Sequence, residues 1–364
     1  MNVVRRVVVV LLAILLATSG AVLGSSTASA QPSGTNHPSN LVYLPMYVDS
    51  TVQVVDPVDR RVVKTIGVGG NPIVIRETPD HKKLFVAVWD LIHWEMVVID
   101  TATMQVTNRI PTLGPAYAVT QMSDDGRYLF VPTEFSIVQV IDTRTEQIVN
   151  NIAIVFPPAP IHLEIAPDNK SFYAFSALSG LGHFDTQTGR LLEPPIFIPG
   201  LAPGWGARSA DGNTIYAISF GTSNVTWIDA RTMTVTKNVF MPLLSTSMSA
   251  TLTPDGNQIW ISNFGTNNVT VMDTRTGDII HVIPFEDSPL YVGFSADGKT
   301  AYVSDEGAYT RGHPLLLGFR LLAWYLARPG PPGFLRTFDT TSYRERDVTP
   351  IGLGPAAGVY PDHG

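Results

Sequence analysis

Short runs of alternating apolar and polar residues recur along the chain, and polar turns separate them. Between residues 258 and 283, the runs 258–263, 269–272 and 279–283 are separated by turns rich in Asn, Asp, Thr and Gly. A period of two is typical of half-buried β-strands, and Asp, Asn and Gly between such runs are typical of tight turns. The pattern therefore predicts an all-β chain of short strands.

Two series of aspartates repeat in step with these runs. The first series marks turns of the Asp-Gly type and consists of Asp80, Asp125, Asp168, Asp211, Asp255, Asp297 and Asp362. The second mostly precedes a threonine and consists of Asp56, Asp100, Asp142, Asp185, Asp229, Asp273 and Asp339. Steps in the first series are 42 to 45 residues, except for a last step of 65. A repeat of this length holds about four short strands, so we predict a seven-bladed β-propeller.

The two ends of the repeat are out of phase. The first strand, from Leu41, occupies the second position of a blade, whereas the last strand, ending near Val359, occupies the innermost position. We therefore expect a mixed blade, built from both termini, to close the ring. The predicted divisions are a signal peptide at 1–30, a flexible linker at 31–40 and a propeller at 41–364.

Residues 1–30 have the three parts of a secretory signal. Arg5 and Arg6 are positively charged, residues 7–17 form an unbroken apolar run, and the segment ends in small residues at 28–30. This predicts cleavage near Ala30 and a secreted, cell-surface or periplasmic protein. An uncleaved membrane anchor is the alternative, although the apolar run is short for a bilayer span. The choice between general and twin-arginine export stays open.

The composition argues against several classes of function. The chain has no cysteine, which excludes disulfides, thiolate nucleophiles and c-type haem attachment. The formal net charge of −7 becomes −9 without Arg5 and Arg6, which argues against nucleic-acid binding. The sequence has no dense histidine spacing, P-loop or dinucleotide glycine fingerprint. We therefore expect neither a metal nor a cofactor.

Several segments resemble the YVTN family of β-propeller repeats. They are Tyr-Val-Ser at 302–304, Ile-Ser-Asn-Phe at 261–264, Asn-Val-Thr-Val-Met-Asp-Thr at 268–274 and Val-Val-Lys-Thr-Ile-Gly-Val-Gly at 62–69. The resemblance covers residues 41–364. It implies the propeller fold and an exported or surface-associated protein, mostly without a defined activity.

Two positions in each innermost strand are expected to face the propeller axis, because side chains alternate along a strand. The position four residues before the turn aspartate holds Arg76, Gln121, Glu164, Ala207, Thr251, Gly293 and Gly358. The position six residues before it holds Val74, Val119, His162, Trp205, Ser249, Tyr291 and Ala356. We predict one axial pocket from the polar members Arg76, Gln121, His162, Glu164 and Thr251, with Trp205 and Tyr291 as its apolar wall.

Three uses of this pocket stay open. In the first, Arg76 clamps a small anion, and the protein is a binding or interaction module of the cell envelope, with a small anion or an envelope protein as partner. In the second, the protein is an enzyme and Glu164 or His162 is the general base. Lactone hydrolases and cycloisomerases include seven-bladed propellers of similar architecture. In the third, water fills the channel and Arg76 pairs with Glu164 across it.

The connections between strands lie at two ends of the propeller. The Asp-Gly and Asp-Thr turns share one end, called here the turn end, and the irregular connections share the other, called here the loop end. We expect the turn end to be structural and the pocket to open at the loop end. The largest insertion, at about 305–334, also falls at the loop end.

This insertion carries a predicted helix. His313-Pro314 is followed by residues 315–328, which are apolar nearly all round, and the Pro-Gly-rich stretch from 329 ends the helix. It is too short to span a bilayer. It is expected to cover the pocket as a lid, to dock on a partner, or to make a peripheral membrane contact through Leu315, Phe319, Leu322 and Trp324.

Overall fold

The structure is a computed structural model. It describes residues 40–89, 93–116, 119–133, 135–155, 157, 160–307 and 330–361. The predicted signal peptide (1–30), all but the last residue of the predicted linker (31–40) and the predicted insertion helix (315–328) lie outside these residues. The membrane-contact residues Leu315, Phe319, Leu322 and Trp324 lie outside them as well. The regular elements of the described part are all strands, and no helix there could cross a membrane.

The strands follow the predicted runs closely. They are β1 (Val42–Met46), β2 (Thr51–Asp56), β3 (Arg61–Gly67), β4 (Asn71–Glu77), β5 (Lys83–Trp89), β6 (Trp94–Asp100), β7 (Gln105–Pro111), β8 (Gln121–Met122), β9 (Tyr128–Thr133), β10 (Ile137–Asp142), β11 (Gln147–Ala153), β12 (Pro160–Ile165), β13 (Ser171–Ser176), β14 (Gly180–Asp185), β15 (Ile196–Phe197), β16 (Pro203–Arg208), β17 (Thr214–Ser219), β18 (Asn224–Asp229), β19 (Thr234–Phe240), β20 (Ser247–Leu252), β21 (Gln258–Asn263), β22 (Asn268–Asp273), β23 (Ile279–Pro284), β24 (Pro289–Phe294), β25 (Thr300–Asp305), β26 (Phe334–Asp339) and β27 (Glu345–Pro350).

These strands form seven antiparallel sheets, each of which is one blade. Blade 1 contains β1–β3, and blades 2 to 7 contain β4–β7, β8–β11, β12–β15, β16–β19, β20–β23 and β24–β27. Each sheet has two apolar faces, which become buried when it stacks on its neighbours. Phe130 and Phe172 of blades 3 and 4 meet in this way, with ring centroids 5.9 Å apart. The predicted all-β, seven-bladed propeller is confirmed.

The two ends of the chain close the ring in blade 1. Val359 and Tyr43 exchange two backbone hydrogen bonds of 3.0 Å, and the Ala356 amide donates to the Pro45 carbonyl at 2.9 Å. On the other side of the same segment, the Ile75 amide of blade 2 donates to the Ala357 carbonyl at 2.9 Å. Residues 355–359 therefore occupy the innermost position of blade 1, as the phase of the repeat predicts.

The turn aspartates stabilise the turns in which they lie. Asp297 accepts hydrogen bonds from the Ser295 hydroxyl at 2.7 Å and the Lys299 amide at 3.1 Å. The Ser295 bond, followed by the Lys299 amide, lowers the Asp297 pKa to about 2. In the same way, the Thr253 hydroxyl donates to Asp255 and the Ser209 hydroxyl donates to Asp211, each at 2.6 Å. The described aspartates of this series therefore act as caps.

Candidate functional site

A cavity of about 460 Å³ lies where the innermost strands converge. The position four residues before the turn aspartate contributes one lining residue from every blade, namely Arg76, Gln121, Glu164, Ala207, Thr251, Gly293 and Gly358. A cavity surrounded by the same position of all seven blades lies on the propeller axis. The structure thus brings this column together, including its four polar members.

Trp205 and Tyr291 form the floor of this cavity. Their ring centroids are 5.5 Å apart, although the two residues belong to blades 5 and 7. Trp205 Nε1 donates to the Ala250 carbonyl of blade 6 at 2.8 Å, so the indole lies across the blade between them. Both rings belong to a mostly buried apolar cluster that includes Val74 and Leu290. This cluster closes the axis on the side of the loop end.

The cavity reaches the turn end. Its lining includes Pro254, Ser295 and Ala296, which belong to the Asp-Gly turns. The expectation that the pocket opens at the loop end is therefore wrong, because turns of blades 6 and 7 line its rim. Asp305 and Phe334, the strand ends that flank the 305–334 insertion, lie at the opposite end of blade 7.

A recurrent β-bulge explains why the loop end is closed. The register shifts at the start of five innermost strands, between Pro72 and Val74, Pro160 and His162, Pro203 and Trp205, Ser247 and Ser249, and Pro289 and Tyr291. A bulge adds one residue and re-aims the side chains around it. The added residues Ile73 and Leu290 are buried, and Met248 packs against them in the axial cluster. The bulges therefore fill this end of the axis.

His162 lies behind the cavity lining. It is fully buried, and Nε2 lies 2.7 Å from Glu164 Oε1. A carboxylate only accepts hydrogen bonds, so Nε2 carries the proton and donates. The ring packs edge-on against Phe175, and Gly206 leaves the space it needs, because a Cβ there would lie 2.8 Å from Nε2. Burial lowers the His162 pKa, and the hydrogen bond with Glu164 opposes this. His162 is thus neutral at neutral pH and reaches the cavity through Glu164.

Arg76 places a positive charge in the cavity wall. Its Nη1 donates to the Ile75 carbonyl at 3.0 Å. Burial lowers the Arg76 pKa to about 10, and the negative charge of Glu164 opposes this, so the guanidinium is charged at neutral pH. Arg76 forms no ion pair with any described residue. The Glu164 carboxylate instead contacts His162 and, at 3.5 Å, Gln121 Nε2. Arg76 and Glu164 therefore do not form a direct ion pair, but their charges attract each other over a longer distance.

Two further polar residues complete the lining. Thr251 Oγ1 donates to the Val292 carbonyl at 2.7 Å. Arg208, which the sequence reasoning missed, donates from Nε to the Ile165 carbonyl and from Nη2 to both carboxylate oxygens of Asp124, each at 2.6 Å. It stands three residues before the turn aspartate, a position that strict alternation assigns to the other face. This position is apolar in most other blades, so its charged residue was the sequence signal that could have identified Arg208.

The lining combines two guanidiniums, of which that of Arg208 is paired with Asp124, with a carboxylate backed by imidazole, an amide and a hydroxyl above an aromatic floor. Such a set can bind an anion and accept a proton. Within the described ranges, no three His, Asp or Glu side chains lie close enough together to hold a metal ion.

Comparisons with known proteins identify the fold. No protein-family model and no curated protein matches the chain. The structure of the dihydro-heme d1 dehydrogenase NirN in complex with DHE is similar, with a TM-score of 0.65 and 15% identity over 91% of this chain and 77% of that chain. Kuenenia stuttgartiensis hydrazine synthase is similar with a TM-score of 0.64 and 19% identity over 79% of this chain and 88% of that chain. These identities show the fold alone: the chain is a β-propeller, and membership of the YVTN family stays a prediction.

Proposed function

We propose that this protein is an exported binding propeller of the cell envelope that holds a small anion in its axial cavity. The observation that carries the proposal is Arg76, a guanidinium in the cavity wall that forms no ion pair with any described residue. Export rests on the signal sequence at 1–30. A secreted chain that begins at Gln31 by mass spectrometry would support it, and an intact leader would contradict it.

The lining favours a particular class of anion. A carboxylate binds a guanidinium through charge-assisted hydrogen bonds and offsets the cost of burying the charge. The Glu164 carboxylate accepts hydrogen bonds, so a ligand beside it needs a hydroxyl or ammonium donor. Trp205 and Tyr291 offer an apolar surface to the rest of the ligand. The ligand that fits is a small hydroxy- or amino-substituted carboxylate.

The structural comparison supports a binding role in general terms. NirN, a protein of similar fold, is seen in complex with DHE. The identity of 15% is too low to carry that ligand over to this chain. The nature of the ligand therefore rests on the cavity residues.

Replacing Arg76 with alanine is expected to weaken carboxylate binding about 30-fold. A buried hydrogen-bonded charge pair contributes about 2 kcal/mol, and about 1.4 kcal/mol corresponds to a factor of ten. A thermal-shift panel of small hydroxy and amino carboxylates identifies a ligand, and calorimetry then compares wild type with Arg76→Ala. Arg231→Ala is the matched control, because it removes the same charge from an exposed turn.

Two results would contradict the anion proposal. One is a carboxylate affinity that is equal in wild type and Arg76→Ala. The other is an equal loss in Arg231→Ala, which would show that the overall charge, and not the cavity, controls binding. If no compound of the panel stabilises the wild-type protein, this ligand class is wrong.

An enzyme acting on a small anionic substrate at the axis, of the lactone hydrolase or cycloisomerase type, is the second candidate. The 2.7 Å contact between His162 and Glu164 favours it, because a carboxylate that lines the cavity can accept a proton from a substrate. Glu164→Gln keeps the shape of the side chain but removes the base. Product formation that is lost in Glu164→Gln while binding persists would support the enzyme, and conversion at the wild-type rate would exclude this role.

A further inference from the structure

Six consecutive loop-end connections, from the entry to blade 4 to the hairpin of blade 6, carry no charged side chain, whereas the next connection, 284–289, carries Glu286 and Asp287. The six connections lie at 154–160, 176–180, 194–203, 219–224, 239–247 and 263–268, and none contains Asp, Glu, Lys, Arg or His. Charged residues make up 15% of the whole chain, so their absence from six surface connections is unusual. The turns at the opposite end of the same blades carry Asp168, Asp211 and Asp255. The two ends of these blades therefore differ in charge.

Large apolar side chains stand out from this uncharged surface. Leu178, Phe197, Leu201, Phe240, Leu243 and Leu244, here called the apolar loop patch, are each between 50% and 85% exposed. Single exposed apolar residues are normal on a soluble protein, whereas a cluster of them without charges marks an interaction surface.

Hydrogen bonds link the connections of neighbouring blades and hold the patch in place. Within and between blades 4, 5 and 6, these bonds join Ser179 Oγ to the Gly200 carbonyl (2.6 Å), the Leu201 amide to Thr222 Oγ1 (3.0 Å), the Thr246 amide to Ser223 Oγ (2.8 Å) and the Gly265 amide to the Ser245 carbonyl (2.8 Å). The apolar side chains are thus presented by a fixed backbone, which lowers the entropy lost on binding.

Leu244 combines exposure with an unfavourable backbone conformation. Its φ is +67°, a left-handed conformation that favours Gly or Asn and strains a leucine. Its side chain is 50% exposed, so packing inside the blade does not account for the choice of leucine.

We propose that the apolar loop patch inserts into the interface of a lipid bilayer. The most exposed member, Leu243, is 85% exposed, which suits a deformable apolar phase better than a fixed partner surface. The rest of the six connections is mostly Ser, Thr, Asn, Gly and Pro, which tolerate the headgroup region. Because they have no Lys or Arg, the attraction is apolar and needs no anionic lipid. A propeller bound in this way keeps the axial cavity, which reaches the turn end, in water.

Flotation with neutral phosphatidylcholine vesicles tests this contact on the chain from residue 31 to 364. Wild type is expected to float equally at low and high salt. Leu201→Ser and Leu243→Ser should each lower the partition coefficient about tenfold, and the pair about 100-fold, because each removes the insertion of one leucine. Val58→Ser, an exposed apolar residue at the turn end, is the matched control and should float like wild type. Thermal melting checks that all variants fold.

Four results would overturn the proposal. In the first, wild type does not float, and in the second, it floats only with anionic lipid and not at high salt. In the third, the double variant binds fully, and binding is lost only when 308–329 is deleted. In the fourth, light scattering shows a dimer that depends on the patch, and the protein does not bind vesicles. The third result would show that the 308–329 insertion, and not the patch, makes the membrane contact. The fourth would show that the patch is a surface for self-association.

Discussion

A chain that ends at Leu353 is expected to lose its cooperative unfolding transition. Its last residues would no longer bridge β1 and β4, and the inner edges of both strands would be open. The lost backbone hydrogen bonds include those of Tyr43 with Val359, Tyr47 with Gly354 and Ile75 with Ala357. At about 1 kcal/mol each, the lost bonds alone amount to on the order of 5 kcal/mol, comparable with the whole stability of a domain.

Circular dichroism during heating and in denaturant measures this effect. A chain that ends at Pro361 is the control, because it keeps all of these hydrogen bonds and should melt like wild type. Adding residues 354–364 as a peptide should restore a cooperative transition, whereas a scrambled peptide should not. Identical melting of the chains ending at Leu353 and Pro361 would show that the ring does not depend on this closure.

The repeat explains why the fold could be predicted from the sequence. The aspartates recur at almost constant spacing up to Asp297, and the described ones fix their turns through their own hydrogen bonds, so these blades carry their own local signals. The phase difference between Leu41 and Val359 indicated closure in blade 1 for the same reason. These patterns are local, and the antiparallel pairing of successive strands builds one blade from each repeat.

The position of the cavity was only partly predictable. Period-two alternation correctly grouped Arg76, Gln121, Glu164 and Thr251, because the strands are regular near the turn end. It could not predict that His162 would be buried behind the lining, or that the loop end would be closed. Both depend on bulges at the start of the innermost strands and on the size of side chains from distant blades. A sequence pattern records neither directly.

Arg208 shows that period-two alternation can also miss a residue that lines the cavity. Alternation assigns it to the face away from the axis, but its long side chain extends to Asp124 and lines the cavity. Long charged side chains carry their head groups far from the backbone position that a pattern describes. Sequence columns therefore locate strand positions better than the charged groups of Arg and Lys.

Replacing Trp205 with alanine is expected to lower the free energy of unfolding by about 3 kcal/mol, near the low end for removal of a packed aromatic side chain. The indole contacts Tyr291 and His162, with centroids 5.5 and 5.9 Å away, and donates to the Ala250 carbonyl. Its loss leaves a gap in the axial floor that the surrounding blades cannot fill, because their innermost strands are fixed by the ring. Trp205→Phe keeps most of the ring contacts and should cost about 1 kcal/mol, the value of the lost hydrogen bond.

Urea denaturation of the three proteins measures these differences. Phe197→Ala is the matched control, because its ring is 70% exposed and its loss should change stability by less than about 0.5 kcal/mol. If Trp205→Ala is as stable as Phe197→Ala, the indole does not form a packed floor. If Trp205→Phe is as unstable as Trp205→Ala, the hydrogen bond to Ala250, and not the ring packing across blade 6, holds the floor in place.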